Sequence, residues 1–585
     1  MNPGKELFRS HCRETGAVYK KWDGRISAAL IFPDSYAIGA ANLGLQTVYS
    51  LLNQYDHIVC ERFFAPEFSR TGSGLRNPCR RSGRWVSMES GRRIAEFDLV
   101  LFSISFESNY TDVLIALNDG GLTLSSRKRI DSEPLVIAGG VAVQINPEPV
   151  ADFIDAFLLG DFETISGRLV SELPVLADSG ITRQKRLQRL AKNVPGCYVP
   201  GACRPIYDRS GELVSWDVDP AFPFPAPPSV YEGPTEIVPH TRILSPFAAF
   251  PNMFMLELAR GCGRGCRFCA AGFVYRPPRK WPVESLKNTI ARRNGTDRIG
   301  LVGLEFLGRD HTESLCQEML AQGLKLRFSS MRADGITGTF VRLLGKSGQR
   351  SVTMAPEAGS ERLRRAVNKN LRETTILTAA ELLASAGIPD LKLYFMIGLP
   401  FETEDDVQEI VALVDRIRRT VRPIGRSRGH LGSITVSVNT FVPKAWTPFQ
   451  WAATADPAVL RKKRKILIRG LGRLPNTKLK LDSAREAIFQ AVLSRGDRRL
   501  APALELVAIH GVLWKKALKE TGLSADMYCG MRGKETLFTW EVVGHRVRKE
   551  YLWREWERAS RHQETGFCHT DVCTRCGVCG VERGL

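Results

Sequence analysis

At 585 residues the chain is about four times a common ~150-residue domain, so two to four domains are expected. An apolar share of 43% and a charged share of 25% exclude a mainly disordered or collagen-like chain. No run of ~18 apolar residues offers a membrane span, and the start Met1-Asn2-Pro3-Gly4-Lys5-Glu6 lacks an apolar signal core, so a cytoplasmic protein with no membrane contact is expected. The net charge is +20, and between Arg416 and Arg499 20 Lys and Arg stand against 4 Asp and Glu. Such a stretch reads either as a solvated basic surface or as a face for a polyanion, RNA or a ribonucleoprotein, whose counterions it would displace.

Short apolar runs alternate with helix-like stretches from Ile26 onward. Ser27–Phe32, Phe97–Ser105, Pro134–Gly140 and Ala156–Gly160 read as buried strands, and Asn42 to Asn53 as the helix after the first. Continuous apolar runs ending in Gly or small polar residues predict a parallel sheet covered on both faces, hence an N-terminal doubly wound Rossmann-like α/β domain over residues 1–185. Residues 186–241, crowded with Pro220, Pro223, Pro225, Pro227, Pro228, Pro234 and Pro239, read as an extended linker or wrap. Residues 242–451 resume the alternation, with strands at Phe254–Leu258, Ile299–Phe306, Leu326–Ser330, Ser351–Ala355, Leu391–Ile397 and Ile434–Asn439. Six βα units predict a partial (βα)6 barrel with its chemistry at the strand C-termini. Residues 452–585 read as a helix-rich, basic C-terminal region ending in a cysteine-rich tail.

Seven of the fourteen cysteines form two clusters, which in a reducing compartment point to metal ligands rather than disulfides. The first is Cys262-Gly-Arg-Gly-Cys266-Arg-Phe-Cys269, directly after a strand. Three thiolates on one loop take three corners of an iron–sulfur cube and leave the fourth iron open; a zinc site with a distant fourth ligand is the other reading. The second is Cys568-His-Thr-Asp-Val-Cys573-Thr-Arg-Cys576-Gly-Val-Cys579. Its C-x2-C-x2-C part is similar to ferredoxin-type cluster loops, and a four-cysteine zinc knot fits the same residues.

The first cluster resembles the signature of the radical SAM superfamily, C-x3-C-x2-C with an aromatic residue, here Phe268, before the last cysteine. The resemblance implies a 4Fe–4S cluster, S-adenosylmethionine (SAM) as cosubstrate, and a low-potential reductant such as ferredoxin or flavodoxin. The reaction implied is reductive cleavage of SAM to methionine and a 5′-deoxyadenosyl radical. It also nominates nucleotide-seating residues at later strand ends: Gly303 and Glu305 for the methionine amino group, Ser330 and Arg332 for its carboxylate or the substrate, and Glu357 for the ribose. Met396, Ile397 and Gly398, in Tyr394-Phe-Met-Ile-Gly398, correspond to the region that packs the adenine, with Tyr394 in place of the family's first glycine. Arg276 and Arg279, just beyond the cysteines, are placed to stabilise cluster or substrate anions.

Asp34-Ser-Tyr36-Ala-Ile-Gly39 resembles the D-x-H-x-x-G turn of cobalamin-binding domains, with Tyr36 where the lower cobalt ligand is a histidine. Ser103, Gly139 and Gly140 resemble the serine and glycine-pair elements lining the nucleotide-tail pocket. Residues 1–185 therefore look like a degenerate cobalamin-binding domain, and the chain resembles the cobalamin-binding-domain radical SAM proteins. That implies a transferase, with methylation or another radical modification of a substrate that the basic charge nominates as RNA. Two alternatives stand: an RNA- or ribonucleoprotein-binding factor with a structural cluster, or an enzyme like the radical methylthiotransferases. The latter carry three N-terminal cysteines, for which Cys12, Cys60 and Cys79 invite comparison, although Cys12 precedes the first strand instead of following it.

Overall fold

The computed structural model describes residues 13–66, 85–230, 237–303, 310–570, 573 and 575–579. The chain divides into two units: residues 1–254 with 492–528 and 535–545, and residues 255–491 with 529–534 and 546–585. Residues 452–585 thus do not gather into a body of their own, because their helices complete the two others.

The first unit is built on a six-stranded sheet: β1 (Ile26–Ser35), β2 (Ile58–Ala65), β3 (Leu99–Ser103), β4 (Leu135–Gly139), β5 (Ala156–Leu158) and β6 (Cys197–Tyr198), in the spatial order β2-β1-β3-β4-β5-β6. The first five run parallel and β6 pairs antiparallel with β5. This is a doubly wound order whose direction of winding reverses between β1 and β3, the place where such sheets open a ligand crevice. Ala28, Leu30 and Phe32 of β1 pack with Leu45, Tyr49 and Leu52 of the helix Leu43–Asn53 and with Leu169 and Leu173 of the helix Phe162–Leu176. Ala29 and Ile31 are equally buried on the opposite side, where the helices Tyr110–Asp119 and Ala501–Ala508 pack together. Burial on both faces is why these strands read as unbroken apolar runs.

The segment expected as a linker carries more order than its prolines announce. It contains most of the helix Arg183–Asn193, then β6 and an antiparallel hairpin of β7 (Cys203–Tyr207) and β8 (Leu213–Val218). Beyond the hairpin, after a turn in which the Phe222 amide donates to the Asp219 carbonyl, Ser229 bridges Gly160 and the Ala226 amide donates to the Val542 carbonyl at 2.9 Å.

The second unit winds progressively. After β9 (Phe254–Glu257), β10 (Ala259–Arg260) and β11 (Arg279–Lys280) come β12 (Arg298–Val302), β13 (Lys325–Phe328), β14 (Ser351–Glu357), β15 (Asp390–Ile397), β16 (Ile434–Thr440) and β17 (Thr477–Leu481). One sheet is ordered β13-β12-β9 and the other β14-β15-β16-β17, with a parallel bridge between Met331 and Met354 linking them. Helices between successive strands give the open barrel expected, and it is one strand longer than expected. β17 pairs parallel with β16 beyond residue 451, in a stretch read as helical. Its sequence Thr-Lys-Leu-Lys-Leu alternates with period two, and Lys478 and Lys480 are exposed on what is the edge strand, where lysines discourage pairing with another chain. Among the described residues, no helix is long and apolar enough to cross a membrane.

Eight of the twenty basic residues of the stretch from Arg416 to Arg499 are paired with carboxylates. Arg416 pairs with Glu373 and Glu409, Arg418 and Arg419 with Asp415, Lys462 with Glu404, Lys463 with Glu402, Arg464 with Asp482, Arg498 with Glu148 and Arg499 with Asp497. Arg461, Lys465, Arg469 and Arg473 remain as an exposed stripe on and just after the helix Pro457–Leu471. Trp446 and Trp451 lie in the core and offer no stacking platform.

Candidate functional site

The loop bearing Cys262, Cys266 and Cys269 leaves the sheet after β9 and is closed at its base by β10 and β11, paired antiparallel through Ala259–Lys280 and Arg260–Arg279. Within it, the Cys269 amide donates to the Cys266 carbonyl at 3.0 Å, and the short helix Ala271–Val274 follows. The three cysteines are half-buried, as is Phe268. Burial, reinforced by the nearby Cys266 thiol, pushes the Cys269 thiol up to about 11. Metal binding there must therefore displace a proton the protein alone would retain. A four-iron cube receives each thiolate on a separate iron, so the donor set on this loop suits a cube.

Two residues that sequence reasoning passed over fix the loop. Arg267, between the second and third cysteines, is 0% exposed. Its guanidinium donates to Glu555 Oε2 at 3.0 and 3.1 Å, to the carbonyls of Arg365, Ala366 and Gln563, and to Thr565 Oγ1. Asn368 Nδ2 donates to the Arg264 and Gly265 carbonyls, each at 3.0 Å. A buried guanidinium with this many acceptors orients the backbone that presents Cys266 and Cys269.

The expected nucleotide residues fall into three groups. Glu357 ends β14 beside the triad: Lys369 Nζ donates to its Oε1 at 3.1 Å, and both side chains act electrostatically on Cys269. Glu357 has φ +70°, a left-handed conformation that costs a non-glycine residue about 1–2 kcal/mol and collects at functional positions. Arg332 joins the same neighbourhood, donating to Asp334 at 3.0 Å and to the Lys369 carbonyl at 2.8 Å. Lys369 was not legible in the sequence, because nothing local marks it as facing the cysteines.

The second group is placed less directly. Gly303 follows β12 at the strand end, and Ser330 is exposed two residues after β13. Glu305 lies outside the described residues. The third group splits across β15: Leu391, Leu393, Phe395 and Ile397 are buried on one face, while Lys392, Tyr394 and Met396 take the other. Met396 and Ile397 therefore point to opposite sides, and Ile397, at 0% exposure, belongs to the core. Gly398 turns the chain at φ +81°, with its amide donating to Glu402 at 2.7 Å.

In the first unit, Asp34, Tyr36, Gly39, Ser103, Gly139 and Gly140 gather at the C-terminal edge of the sheet, around the reversal between β1 and β3. Ser103 and Gly139 are register partners. Asn109 Nδ2 donates to Asp34 at 3.3 Å, and Asn42 Nδ2 to Ser105 Oγ at 3.1 Å. Two of the motif residues serve the fold itself. The Tyr36 ring packs edge-on to Phe64 at 5.2 Å, and its hydroxyl donates to Glu14 at 2.7 Å. At 9% exposure this side chain does not present an axial ligand. Gly140 has φ +106°, and a Cβ there would lie 2.4 Å from the Ile104 carbonyl oxygen, so glycine is demanded by backbone contact. Cys60 lies within β2 at 1% exposure, not on a loop, while Cys12 and Cys79 fall outside the described residues.

In the C-terminal tail, Cys568 and Cys576 are buried and Cys573 and Cys579 half-buried. The thiols of Cys568 and Cys573 share a hydrogen bond, and Arg575 Nε donates to Cys573 Sγ at 3.4 Å.

Residues 44–200 match the family described as radical SAM proteins, N-terminal, and residues 256–414 match the radical SAM superfamily. An uncharacterized protein of Methanocaldococcus jannaschii is 25% identical over 82% of this chain and 90% of its own length. The ribosomal protein uS12 methylthiotransferase RimO of Chlorobium phaeobacteroides is 22% identical over 50% of this chain and 69% of its own. Among solved structures, the radical SAM methyltransferase TsrM of Kitasatospora setae aligns over 92% of this chain and 98% of its own at a TM-score of 0.45 and 14% identity. The cobalamin-dependent radical SAM enzyme OxsB aligns over 66% of this chain and about half of its own length, 52%, at 0.41 and 16%. With both family matches falling on the two sheets described, and the cysteine loop lying inside the second match, the chain belongs to the radical SAM superfamily.

Proposed function

We propose that the chain is a cobalamin-associated radical SAM transferase, with Cys262, Cys266 and Cys269 as the ligands of its 4Fe–4S cluster. When bound, the cluster supplies an open iron for the amino acid end of SAM and the single electron that breaks its carbon–sulfur bond. The observation carrying the reading is the convergence of an anchored three-cysteine loop with the Glu357–Lys369 pair at the end of β14. Glu357, held in place by Lys369, accepts hydrogen bonds from the ribose hydroxyls. Arg332 is committed to Asp334 and the Lys369 carbonyl, so it positions the lysine instead of meeting the methionine carboxylate. Arg267 and Asn368 hold the loop still, which keeps the cost of organising the site out of the reaction.

Cobalamin association is supported by the winding reversal of the first sheet and by the polar set at its edge, Asp34, Asn42, Ser105 and Asn109, with Ile38 and Phe106 exposed nearby. Since the Tyr36 hydroxyl donates to Glu14, the turn that carries a histidine in cobalamin-binding domains would offer no side chain to cobalt here. Methyl transfer follows from that cofactor. RNA as substrate is supported by the exposed stripe Arg461, Lys465 and Arg469. Methylthio transfer is the second reading, favoured by the RimO relatives and opposed by the placement of Cys60 inside a strand.

Anaerobically reconstituted protein given dithionite and SAM should release 5′-deoxyadenosine, whereas a Cys269→Ala variant should not. Zinc at the loop, or no turnover with any candidate substrate, overturns the enzymatic reading. Protein produced with hydroxocobalamin should carry a base-off corrinoid spectrum, and its absence removes the cobalamin part alone.

A further inference from the structure

The second unit brings the C-terminal tail against the triad loop. The Cys568 amide donates to the Gly263 carbonyl, between Cys262 and Cys266, at 2.9 Å. Gly263 is the residue that permits this approach: a Cβ there would lie 2.6 Å from the Phe567 ring. Asn368 binds both segments at once, since its Oδ1 accepts from the Thr565 amide at 2.8 Å while its Nδ2 holds the triad loop. Arg267 does the same through Gln563 and Thr565.

Positive charge surrounds the tail cysteines. Arg276, from the segment just past the triad, is 6% exposed. Its guanidinium hydrogen-bonds the Cys576 thiol and the Tyr551 hydroxyl, donates to the Gly272 carbonyl at 2.8 Å, and acts on Cys568. Arg575 reaches Cys573, and the Arg548 side chain lies over Gly577, where a Cβ would meet its Nε at 2.7 Å. Taking a guanidinium out of water is costly unless an anion meets it. Of the groups meeting Arg276, the Tyr551 hydroxyl is kept neutral by burial, whereas the tail cysteines become anionic as metal thiolates.

We propose that Cys568, Cys573, Cys576 and Cys579 hold a second iron–sulfur cluster, seated on the triad loop and neutralised by Arg276. The spacing favours a cube: Cys573, Cys576 and Cys579, with two residues between neighbours, take three corners and Cys568 supplies the fourth. This site is fully ligated by protein, in contrast to the open triad. Its location uses the triad loop, but its existence does not depend on SAM cleavage by that loop.

The test is iron and acid-labile sulfide content after anaerobic reconstitution, with electron paramagnetic resonance of the reduced protein. The parent should hold about eight irons per chain and show two distinct signals, the Cys573→Ser/Cys576→Ser variant about four, and the Cys262→Ser/Cys266→Ser/Cys269→Ser variant about four. Zinc lost with the tail cysteines while iron stays constant overturns the proposal, as does parent iron that vanishes entirely with the triad. Tail iron kept in a chain that releases no 5′-deoxyadenosine upholds this site while failing the proposed function. Arg276→Gln guards against misfolding as the explanation: it should keep all the iron and lower the midpoint potential of the tail signal alone. An unchanged potential overturns the assignment of Arg276 as its counter-charge.

Discussion

Replacing Arg267 by methionine tests whether the triad loop is held by its buried arginine. The side chain is 0% exposed and its partner Glu555 lies 288 residues away. Removing the guanidinium leaves the Glu555 carboxylate, 5% exposed, with the Thr565 hydroxyl and an Arg558 guanidinium at 3.8 Å, and strips a donor from three carbonyls. Breaking a buried ion pair from one side costs about 3–5 kcal/mol. Lys516→Met, which opens the Lys516–Glu520 pair at 68% and 43% exposure, should cost under ~0.5 kcal/mol and serves as the reference. Urea unfolding followed by circular dichroism measures both, and iron retained after desalting reports on the loop. The double variant Arg267→Met/Glu555→Met should recover about 2 kcal/mol of the loss, because the stranded carboxylate is gone. If Arg267→Met stays within about 1 kcal/mol of the parent and keeps its iron, the anchoring role is refuted.

Glu357→Asn and Glu357→Gln should both lower 5′-deoxyadenosine release by replacing the charged ribose acceptor and Lys369 partner with a weaker, neutral amide oxygen. The Asn variant should be about 1 kcal/mol the more stable, since asparagine adopts the left-handed conformation more readily; equal melting temperatures would contradict strain at φ +70°. Burial lowers His545 from its ordinary 6.5 to about 4, with its Nε2 donating to the Gln144 carbonyl at 3.2 Å. The unfolded chain takes up the proton first, so stability is complete above pH 6.5 and declines as pH falls toward 4, by about 3 kcal/mol in all. His545→Gln, which keeps the donor and does not titrate, should flatten that part of the pH–stability curve measured by denaturation, and an unaltered slope would exclude the histidine.

Chemistry carried by contiguous residues was legible. The cysteine triad and the strand it follows lie within one short window where spacing is itself the signal. What sequence hid was long-range pairing. Arg267 looked like filler between two cysteines because its acceptors arrive from the chain's far end, and Lys369 became a neighbour of Cys269 only through the fold. The charge run misled in the opposite sense: eight of its twenty basic residues are matched to carboxylates, some beside them in sequence, such as Asp415 and Asp497, and others remote, such as Glu148 and Glu373. β17 escaped notice because its alternation is short and its polar positions are lysines, so basicity masked periodicity. Tyr36 kept its motif position while its hydroxyl went to Glu14, a use that no spacing rule encodes.

The first unit has a consequence for synthesis on the ribosome. Asn146 and Glu148 are each 0% exposed, yet the side chain of the first donates to the carbonyls of Ser494 and Gly496, and that of the second pairs with Arg498. Those partners emerge some 350 residues later. A nascent chain halted at the end of the first sheet would carry the Asn146 amide without its two carbonyl acceptors, and the Glu148 carboxylate with the Tyr198 hydroxyl but without Arg498. Translation of the barrel must therefore precede closure of the domain that was begun before it, and an excised N-terminal fragment would be a poor substitute for the whole.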